Sequence, residues 1–240
     1  MQNPLCLGAS PRLRIALLAV VLLTVAAAAN AARPMVTDDA RIVDPHSCQL
    51  ETWVKADRSS EAYWAVPACN IGGNFEFALG AARTDDASGT RTSDVQIQGK
   101  TLFKTLQPNG WAWGLAAGSI GHPDRGDALH GDLYAYVPAT FSFHDDRLLL
   151  HTNLGWLRTR DDGRNAATWG VGGEAELSAR TWLIAESYGD DHSNPYYQLG
   201  LRHWLITNRV QLDATYGNRS DGGAGWVSLG LRLLSPAFLP

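Results

Sequence analysis

Cysteine, lysine and long apolar stretches are all scarce in this chain of 240 residues. A membrane-spanning helix needs about 20 consecutive apolar residues. No stretch of that kind occurs beyond residue 31, so the sequence predicts no membrane-spanning helix in that part of the chain. A membrane-spanning strand needs only about 9–11 residues, with apolar side chains at alternate positions. The mean hydropathy of -0.16 is therefore compatible with a soluble β-protein and with a membrane β-barrel.

Charge and ligand motifs exclude several classes of function. The formal net charge is only -4 and no basic block occurs, so we expect no nucleic-acid partner. The 7 histidines lack metal-ligand spacing, and the Gly-Gly pairs at 72–73 and 222–223 lie in predicted turns rather than before helices. We therefore expect neither a metal nor a cofactor. Glycine (24 residues) and tryptophan (9 residues) are abundant instead, which is typical of barrels with aromatic girdles.

The N-terminus has the layout of a secretory signal. Arg12 and Arg14 precede an apolar run over residues 15–29, and small residues flank Asn30. We predict cleavage after Ala31, so that residues 1–31 form the signal peptide. The alternative, a retained membrane anchor, is disfavoured because the run is shorter than a membrane span. Cys6 lies before this run without a lipobox, so the sequence does not predict a lipoprotein.

Two cysteines remain once the signal is removed, Cys48 and Cys69. In the oxidising compartment that export implies, a pair of cysteines favours one disulfide. Strands over residues 48–56 and 61–69, joined by a turn near 58–59, place the two side chains opposite each other. The alternative is a pair of free thiols.

From residue 48 onward, apolar and polar residues alternate in short segments that turn residues separate. Clear examples cover residues 74–82, 111–119 and 210–216. We count about twelve segments, an even number, as bacterial outer-membrane barrels have.

The connections between these segments alternate between short and long. The short ones cover residues 70–73, 107–110, 144–147, 179–180 and 207–209. The long ones cover residues 83–91, 121–131, 158–165, 189–195 and 218–225, and only the first hairpin breaks the alternation. A barrel with both termini in the periplasm has short inner turns and longer outer loops, whereas a soluble Greek-key sandwich has no reason to keep this order.

The sequence therefore predicts an all-β protein, a closed antiparallel transmembrane β-barrel over residues 48–240 that follows a cleaved signal peptide. Residues 32–47 are predicted to form a periplasmic N-terminal segment. The expected location is the outer membrane of a Gram-negative-type cell, with outer-membrane lipid as a partner. Insertion of such a barrel is expected to involve the barrel-assembly machinery.

The second half of the chain has one apolar face and one face of small and charged residues. Six charged side chains are predicted to face the lumen: Glu174, Glu176, Glu186, Arg202, Asp213 and Arg232. Lysine, which is common on soluble β-surfaces, does not occur after Lys104. Since charges shielded from water need partners, Glu–Arg pairs here either brace a closed interior or line a narrow polar channel.

Aromatic residues flank the predicted connections and favour two interfacial girdles. The predicted outer girdle contains Trp156, Trp169, Tyr188, Tyr196, Tyr216 and Trp226. The predicted inner girdle contains Trp111, Trp182 and Trp204. The alternative is that Trp and Tyr favour strand ends in any β-protein.

Four segments suggest a family. Residues 33–40 (Arg-Pro-Met-Val-Thr-Asp-Asp-Ala), the strand at 49–54, and the late segments 198–204 and 210–214 resemble outer-membrane proteins of the MetA-pathway-of-phenol-degradation transporter family. The resemblance implies an outer-membrane barrel that passes small molecules, hydrophobic or aromatic ones included. It carries over no functional residue.

We therefore predict a passive outer-membrane channel for a small-molecule solute, and no enzyme. One alternative is an outer-membrane lipid hydrolase of the phospholipase type, because His192 and Ser193 supply suitable groups. Adjacent residues of an extended segment point to opposite faces, however, which is poor geometry for proton transfer. His151 also lacks an evident serine partner. The other alternative is a structural barrel with a plugged lumen.

Overall fold

The computed structural model describes residues 35–240, apart from the side chains of residues 127–130. The predicted signal peptide lies outside the described residues. The strands are β1 (Ser47–Ala56), β2 (Ser60–Asn70), β3 (Phe75–Asp86), β4 (Arg91–Lys104), β5 (Trp111–His122), β6 (Asp127–Phe143), β7 (Leu148–Arg158), β8 (Asn165–Ser178), β9 (Thr181–Asp190), β10 (Tyr196–Ile206), β11 (Val210–Arg219) and β12 (Trp226–Leu234). A 3-10 helix, Pro123–Arg125, precedes β6.

Each strand pairs antiparallel with its neighbours in sequence, and β12 closes the barrel on β1. The closing register runs from Gln49 opposite Leu234 to Ala56 opposite Val227, so both free edges are paired. This confirms the predicted fold, a closed antiparallel barrel of twelve strands. We call the end where β1 begins and β12 ends the inner end, and the opposite end the outer end.

The outer surface of the barrel is apolar because alternate residues of every strand point away from the lumen. Leu154 is 70% exposed and Leu199 is 54% exposed, and many further Leu, Phe and Val side chains lie around them. A continuous apolar surface of this size is stable against lipid rather than water. Among the described residues, no helix is long and apolar enough to span a membrane.

The predicted disulfide is confirmed. Cys48 of β1 lies directly opposite Cys69 of β2 in the strand register, and the two sulfur atoms are 2.01 Å apart. The bond ties the first hairpin together at the inner end of the barrel. The short turn of this hairpin is held by Asp57, whose side-chain carboxylate accepts hydrogen bonds from the backbone N–H groups of Ser59 and Ser60.

The outer connections are shorter than the sequence predicts. Strand β3 continues to Asp86 and β4 starts at Arg91, so most of the predicted loop 83–91 belongs to the sheet. The predicted loop 121–131 likewise holds the end of β5 and the start of β6. Ladder hydrogen bonds use backbone groups, so polar, turn-forming side chains do not stop two strands from pairing beyond the apolar belt. The contrast between long and short connections is correspondingly weaker.

The predicted aromatic girdles are wrong for several residues. Trp111 and Tyr216 are exposed on the outer surface, and Trp156 is exposed as well although it also borders one of the cavities. In contrast, Trp182, Trp204, Tyr188, Tyr196 and Trp226 line cavities inside the barrel. Position next to a loop does not decide the face of a strand, whereas parity does: Trp182 and Tyr188 alternate in phase with Glu186 of the same strand.

The N-terminal segment also differs from its predicted place. The sequence predicts a periplasmic segment over residues 32–47, but residues 35–44 lie inside the lumen, where wall side chains bind them. The chain then turns at the inner end and enters β1. A polar segment is stable there because the lumen wall supplies hydrogen-bond partners for its backbone. We call residues 35–44 the plug.

Candidate functional site

The outer end of the plug is held by one carboxylate. Glu186 of β9 accepts hydrogen bonds from two consecutive backbone N–H groups, those of Val36 (2.7 Å) and Thr37 (2.6 Å), one on each carboxylate oxygen. The side-chain amide of Gln198 on β10 also donates to Glu186. Hydrogen bonds to an ionised acceptor are stronger than neutral ones, so this carboxylate is the firmest of the plug's outer anchors.

Further anchors follow toward the inner end. Asn153 of β7 exchanges two hydrogen bonds with the backbone of Asp38, at 2.7 and 2.8 Å. The hydroxyl of Thr140 on β6 accepts from the N–H of Ala40 at 2.8 Å. The carboxylate of Glu76 on β3 accepts from the N–H of Val43 at 2.8 Å. Wall strands from several sides of the barrel therefore fix the plug without any sheet pairing.

Two glycines of β8 make room for the plug. A Cβ atom at Gly170 would lie 2.6 Å from the Thr37 hydroxyl oxygen, and one at Gly172 would lie 2.5 Å from the terminal methyl carbon of Met35. These distances are shorter than van der Waals contact. Glycine at both positions therefore lets the segment pass close to the wall, so wall and plug are complementary in shape.

Partly buried charges of the plug pair with a buried lysine of the wall. The ammonium group of Lys100 on β4 lies 2.8 Å from the Asp38 carboxylate and donates to the backbone carbonyl of Asp39 at 2.7 Å. The guanidinium of Arg41 lies 2.8 Å from the Asp39 carboxylate. Burial alone would raise the pKa of Asp39, but Arg41 and Lys100 outweigh it and hold that pKa below its ordinary value.

Four of the six predicted lumen residues lie inside the barrel, and all of them except the partly buried Arg202 are buried. Arg202 of β10 bridges Glu174 of β8 and Asp213 of β11, each at 2.8 Å. Arg202 and Asp213 are also direct cross-strand neighbours in the register. Glu186, described above, is the fourth of these residues. The pairs with Arg202 brace neighbouring strands across the polar interior.

The other two predicted residues lie nearer the edges of this network. Arg232 of β12 donates to the side-chain carbonyl oxygen of Gln49 at 2.6 and 2.8 Å and lies 3.6 Å from Glu51. Glu176 of β8 lies toward the inner end, where it pairs with Arg147 of the turn after β6 at 3.2 Å.

Several central residues were missed by the sequence reasoning, above all Lys100, Glu76 and the plug aspartates. Lys100 alternates in phase with Gln96 and Gln98, which are also buried, so the parity of β4 marks it as facing inward. Nothing in the sequence marks residues 35–44 as its partner, because they form no strand.

An interior chain of hydrogen bonds resembles a hydrolase triad. Thr140 lies opposite His151 in the register, 2.9 Å from its Nδ1 atom, and the Nε2 atom of His151 lies 3.0 Å from Glu174. Thr140 and His151 are fully buried, and the Thr140 hydroxyl already accepts the N–H of Ala40. Glu174 also pairs with Arg202. The plug and the wall enclose this hydroxyl, and the hydrogen bonds join β6, β7 and β8.

The loop that carries the other hydrolase candidates gives no catalytic pair. The Nε2 atom of His192 contacts the backbone carbonyl of Asn165 at 3.1 Å, in an exposed position. Ser193 hydrogen-bonds to the Asp190 carboxylate instead. Within the described part of the chain, no group of three or more His, Cys, Asp or Glu side chains is arranged to hold a metal ion.

The plug divides the lumen into an outer and an inner space. Near its outer end lie cavities of about 380 Å³ and about 200 Å³, which share Val36, Gln96 and Tyr188 in their walls. At the inner end lies a cavity of about 620 Å³, lined among others by Ile42, Trp182 and Trp204. Around Asp39, between the two ends, the cavity is only about 60 Å³. The plug and its partners therefore form the constriction.

The buried hydroxyl of Thr37 destabilises the plugged state. Its hydroxyl oxygen is buried and has no hydrogen-bond partner among the described residues. Because an unsatisfied buried polar group costs about 1–3 kcal/mol, Thr37→Val is expected to raise the free energy of unfolding by about that amount. Urea titration of the protein in lipid vesicles, followed by tryptophan fluorescence, measures the change.

Thr215→Val is the matched control for this prediction. The Thr215 hydroxyl is equally buried but donates to the side-chain carbonyl oxygen of Gln198 at 3.3 Å. The same substitution there removes a hydrogen bond and is expected to lower the free energy of unfolding. Equal effects of the two substitutions would contradict the assignment of a cost to Thr37.

Comparison with known proteins places the chain in a family. The model of the family described as Uncharacterised conserved protein UCP029691 matches residues 17–234, and the chain belongs to this family. No curated protein matches the chain in sequence. The resemblance to the MetA-pathway family is not supported by these comparisons and stays a prediction.

Two solved structures that share this barrel fold are titled as porins. The structure titled "KdgM porin" superposes with a TM-score of 0.58 at 9% sequence identity, covering 78% of this chain and 98% of the porin chain. The structure titled "KdgM porin in complex with disordered oligogalacturonate" gives a TM-score of 0.55 at 11% identity, with the same coverage of 78% and 98%. At such low identity, the similarity shows a shared barrel fold.

Proposed function

We propose that this member of the UCP029691 family is a passive outer-membrane channel for small molecules, hydrophobic or aromatic ones included, that its own N-terminal plug holds closed. The observation that carries the proposal is the pair of spaces on either side of the plug, about 380 Å³ outside and about 620 Å³ inside, with a single constriction between them. Removal of one segment joins the two spaces.

The composition of the wall supports a channel over a solid structural barrel. A barrel that serves only as a scaffold can fill its lumen with wall side chains. Beside this plug the wall instead includes small residues: Gly170 and Gly172 lie against Thr37 and Met35, and the buried Ala112 packs with Ala40 of the plug. Closure therefore depends on a segment outside the strand ladder, which can move without breaking a sheet hydrogen bond.

The apolar outer surface supports an outer-membrane location, with lipid as the surrounding partner. In that setting the predicted secretory signal exports the chain, and the barrel-assembly machinery inserts it. With both strand termini in the periplasm, the inner end faces the periplasm and the aromatic outer cavities face the cell exterior. Solute thus meets the aromatic cavities first.

Glu186→Gln tests the channel directly. A glutamine offers one oxygen and an N–H₂ group where the carboxylate has two oxygens, so one of the N–H groups of Val36 and Thr37 loses its acceptor. A hydrogen bond to a charged group contributes about 1.5–3 kcal/mol, and 1.4 kcal/mol corresponds to a tenfold shift in population. We expect the open fraction in planar-bilayer recordings to rise by about tenfold or more.

Glu61→Gln is the control, because Glu61 is exposed and its carboxylate contacts Tyr63 rather than the plug. It is expected to leave the recordings unchanged. If Glu186→Gln and a chain without the plug both fail to conduct, the structural barrel with a plugged lumen replaces the channel. Ester hydrolysis by the purified protein, lost in Ser193→Ala, would instead favour the lipid hydrolase.

A further inference from the structure

The larger outer cavity is lined by aromatic side chains that do not fill it. Tyr134 and Tyr136 of β6 stack with ring centres 6.2 Å apart, and Tyr188 of β9 stacks on Tyr196 of β10 at 5.5 Å. All four rings line a cavity of about 380 Å³, whose floor includes Val36 and Thr37 of the plug. Aromatic side chains in a closed core pack to near-crystalline density. Here they surround open space, within the size range of small-molecule sites.

The polar groups of this cavity are largely engaged with one another. The side-chain amide of Gln96 donates to the Tyr134 hydroxyl at 2.7 Å, and that hydroxyl donates to Gln98 at 3.0 Å. The Tyr136 hydroxyl donates to the Asp38 carboxylate of the plug at 2.7 Å. A ligand with many hydroxyl groups, such as a sugar, has to break these hydrogen bonds to gain its own. The cavity therefore favours a ligand with few polar groups.

Charge narrows the ligand class further. Of the residues that line this cavity, Asp190 alone carries a charge, and it is negative. An anion in the cavity would be desolvated beside a carboxylate without a balancing cation. The Asp190 carboxylate also accepts hydrogen bonds from His192 and Ser193 of its own loop, so it is already engaged there rather than by a cationic ligand.

From this geometry we propose that the tyrosine-lined cavity is a binding site for a small neutral aromatic molecule of one or two rings. This inference rests on the proposed function in one respect: it takes the outer cavity to be the place where the solute enters the channel. Flat rings gain dispersion and offset-stacking contacts with Tyr134, Tyr136, Tyr188 and Tyr196. A carboxylate on the same ring system abolishes binding.

The test measures binding of 2-naphthol by titration calorimetry on the full chain in lipid nanodiscs. Parallel arms use 2-naphthoate, maltose and choline, which represent an anion, a sugar and a cation. We expect saturable binding of 2-naphthol, at least about tenfold tighter than that of each other probe. Equal or tighter binding of any of the three overturns the proposal.

Thr168→Trp locates the site, because Thr168 lines the cavity and a tryptophan there occupies it. Leu154→Trp is its control: it adds the same ring on the lipid-facing side of a neighbouring strand, at a residue that is 70% exposed. The first is expected to weaken 2-naphthol binding by about tenfold or more, and the second to leave it unchanged. Equal binding in both variants overturns the site.

Leu157→Trp, which enters the same cavity from β7, serves if Thr168→Trp does not fold. These experiments test the binding site and the channel independently of each other. Conduction by Glu186→Gln without 2-naphthol binding removes the ligand class and leaves the channel. Binding of 2-naphthol without conduction by that variant leaves the site and removes the channel.

Discussion

A chain that begins at Pro45 conducts ions and small solutes at a level more than about tenfold above that of the chain with its plug, because the closed state no longer has the segment that forms it. The strand ladder starts at Ser47, so this deletion removes no sheet hydrogen bond. Wall side chains that lose their partners in the plug, among them Glu186 and Lys100, are hydrated by water that enters the lumen and are not left buried without partners. We therefore expect the ring of twelve paired strands to stay intact while its lumen becomes a continuous pore.

A synthetic peptide with the sequence of residues 35–44 provides the control for this deletion. Added to the shortened chain, it is expected to restore closure only at millimolar concentration, since the tethered segment has an effective concentration of that order. A peptide with the same residues in scrambled order loses the fit of Met35 and Thr37 beside Gly172 and Gly170 and the pairing of Asp38 with Lys100, and it is expected to have no effect. Absence of conduction by the shortened, folded barrel would contradict the assignment of the plug as the closing element.

The barrel itself could be predicted from the sequence because its determinants are local. Period-2 alternation fixes which residues of a strand share a face, and consecutive strands pair with short connections. For that reason the disulfide between Cys48 and Cys69 and the inward position of Arg202 and Asp213 were within reach. The same parity, applied to β9 and β12, would have placed Tyr188 and Trp226 inside rather than in a girdle.

The plug could not be predicted because nothing local encodes it. Residues 35–44 have no strand or helix period, and their backbone is bound by side chains far away in sequence. The contact from Thr37 to Glu186 spans 149 positions, and that from Asp38 to Asn153 spans 115. The glycines at 170 and 172 resembled ordinary small filling of a barrel, and their reason appears only when the segment lies beside them. The sequence therefore predicted the lumen wall of the candidate site but not the plug that fills it.

Arg202→Met is expected to lower the free energy of unfolding by about 3–5 kcal/mol, the cost of leaving buried charges without their partner. Arg202 is mostly buried and joins Glu174 and Asp213, both of them buried carboxylates. Glu174 keeps His151 as a partner, but Asp213 is left with the neutral amide of Gln211. Urea titration in lipid vesicles measures the change, and adding Asp213→Asn to this variant is expected to recover part of it by removing the uncompensated charge.

Arg125→Met gives the reference for a solvated pair. Arg125 and Asp161 form an ion pair at the outer end in which both side chains are more than half exposed, so the expected loss is below about 1 kcal/mol. The comparison also separates the two roles that the sequence left open for the Glu–Arg pairs. A brace in a dry interior makes Arg202→Met far more costly than Arg125→Met, whereas charges along a water-filled path make the two alike, since water then replaces the lost partner. The two substitutions can also be compared in the chain that begins at Pro45. If the difference between their losses in unfolding free energy is large in the plugged chain and smaller in the shortened one, the plug is what keeps water out of the interior.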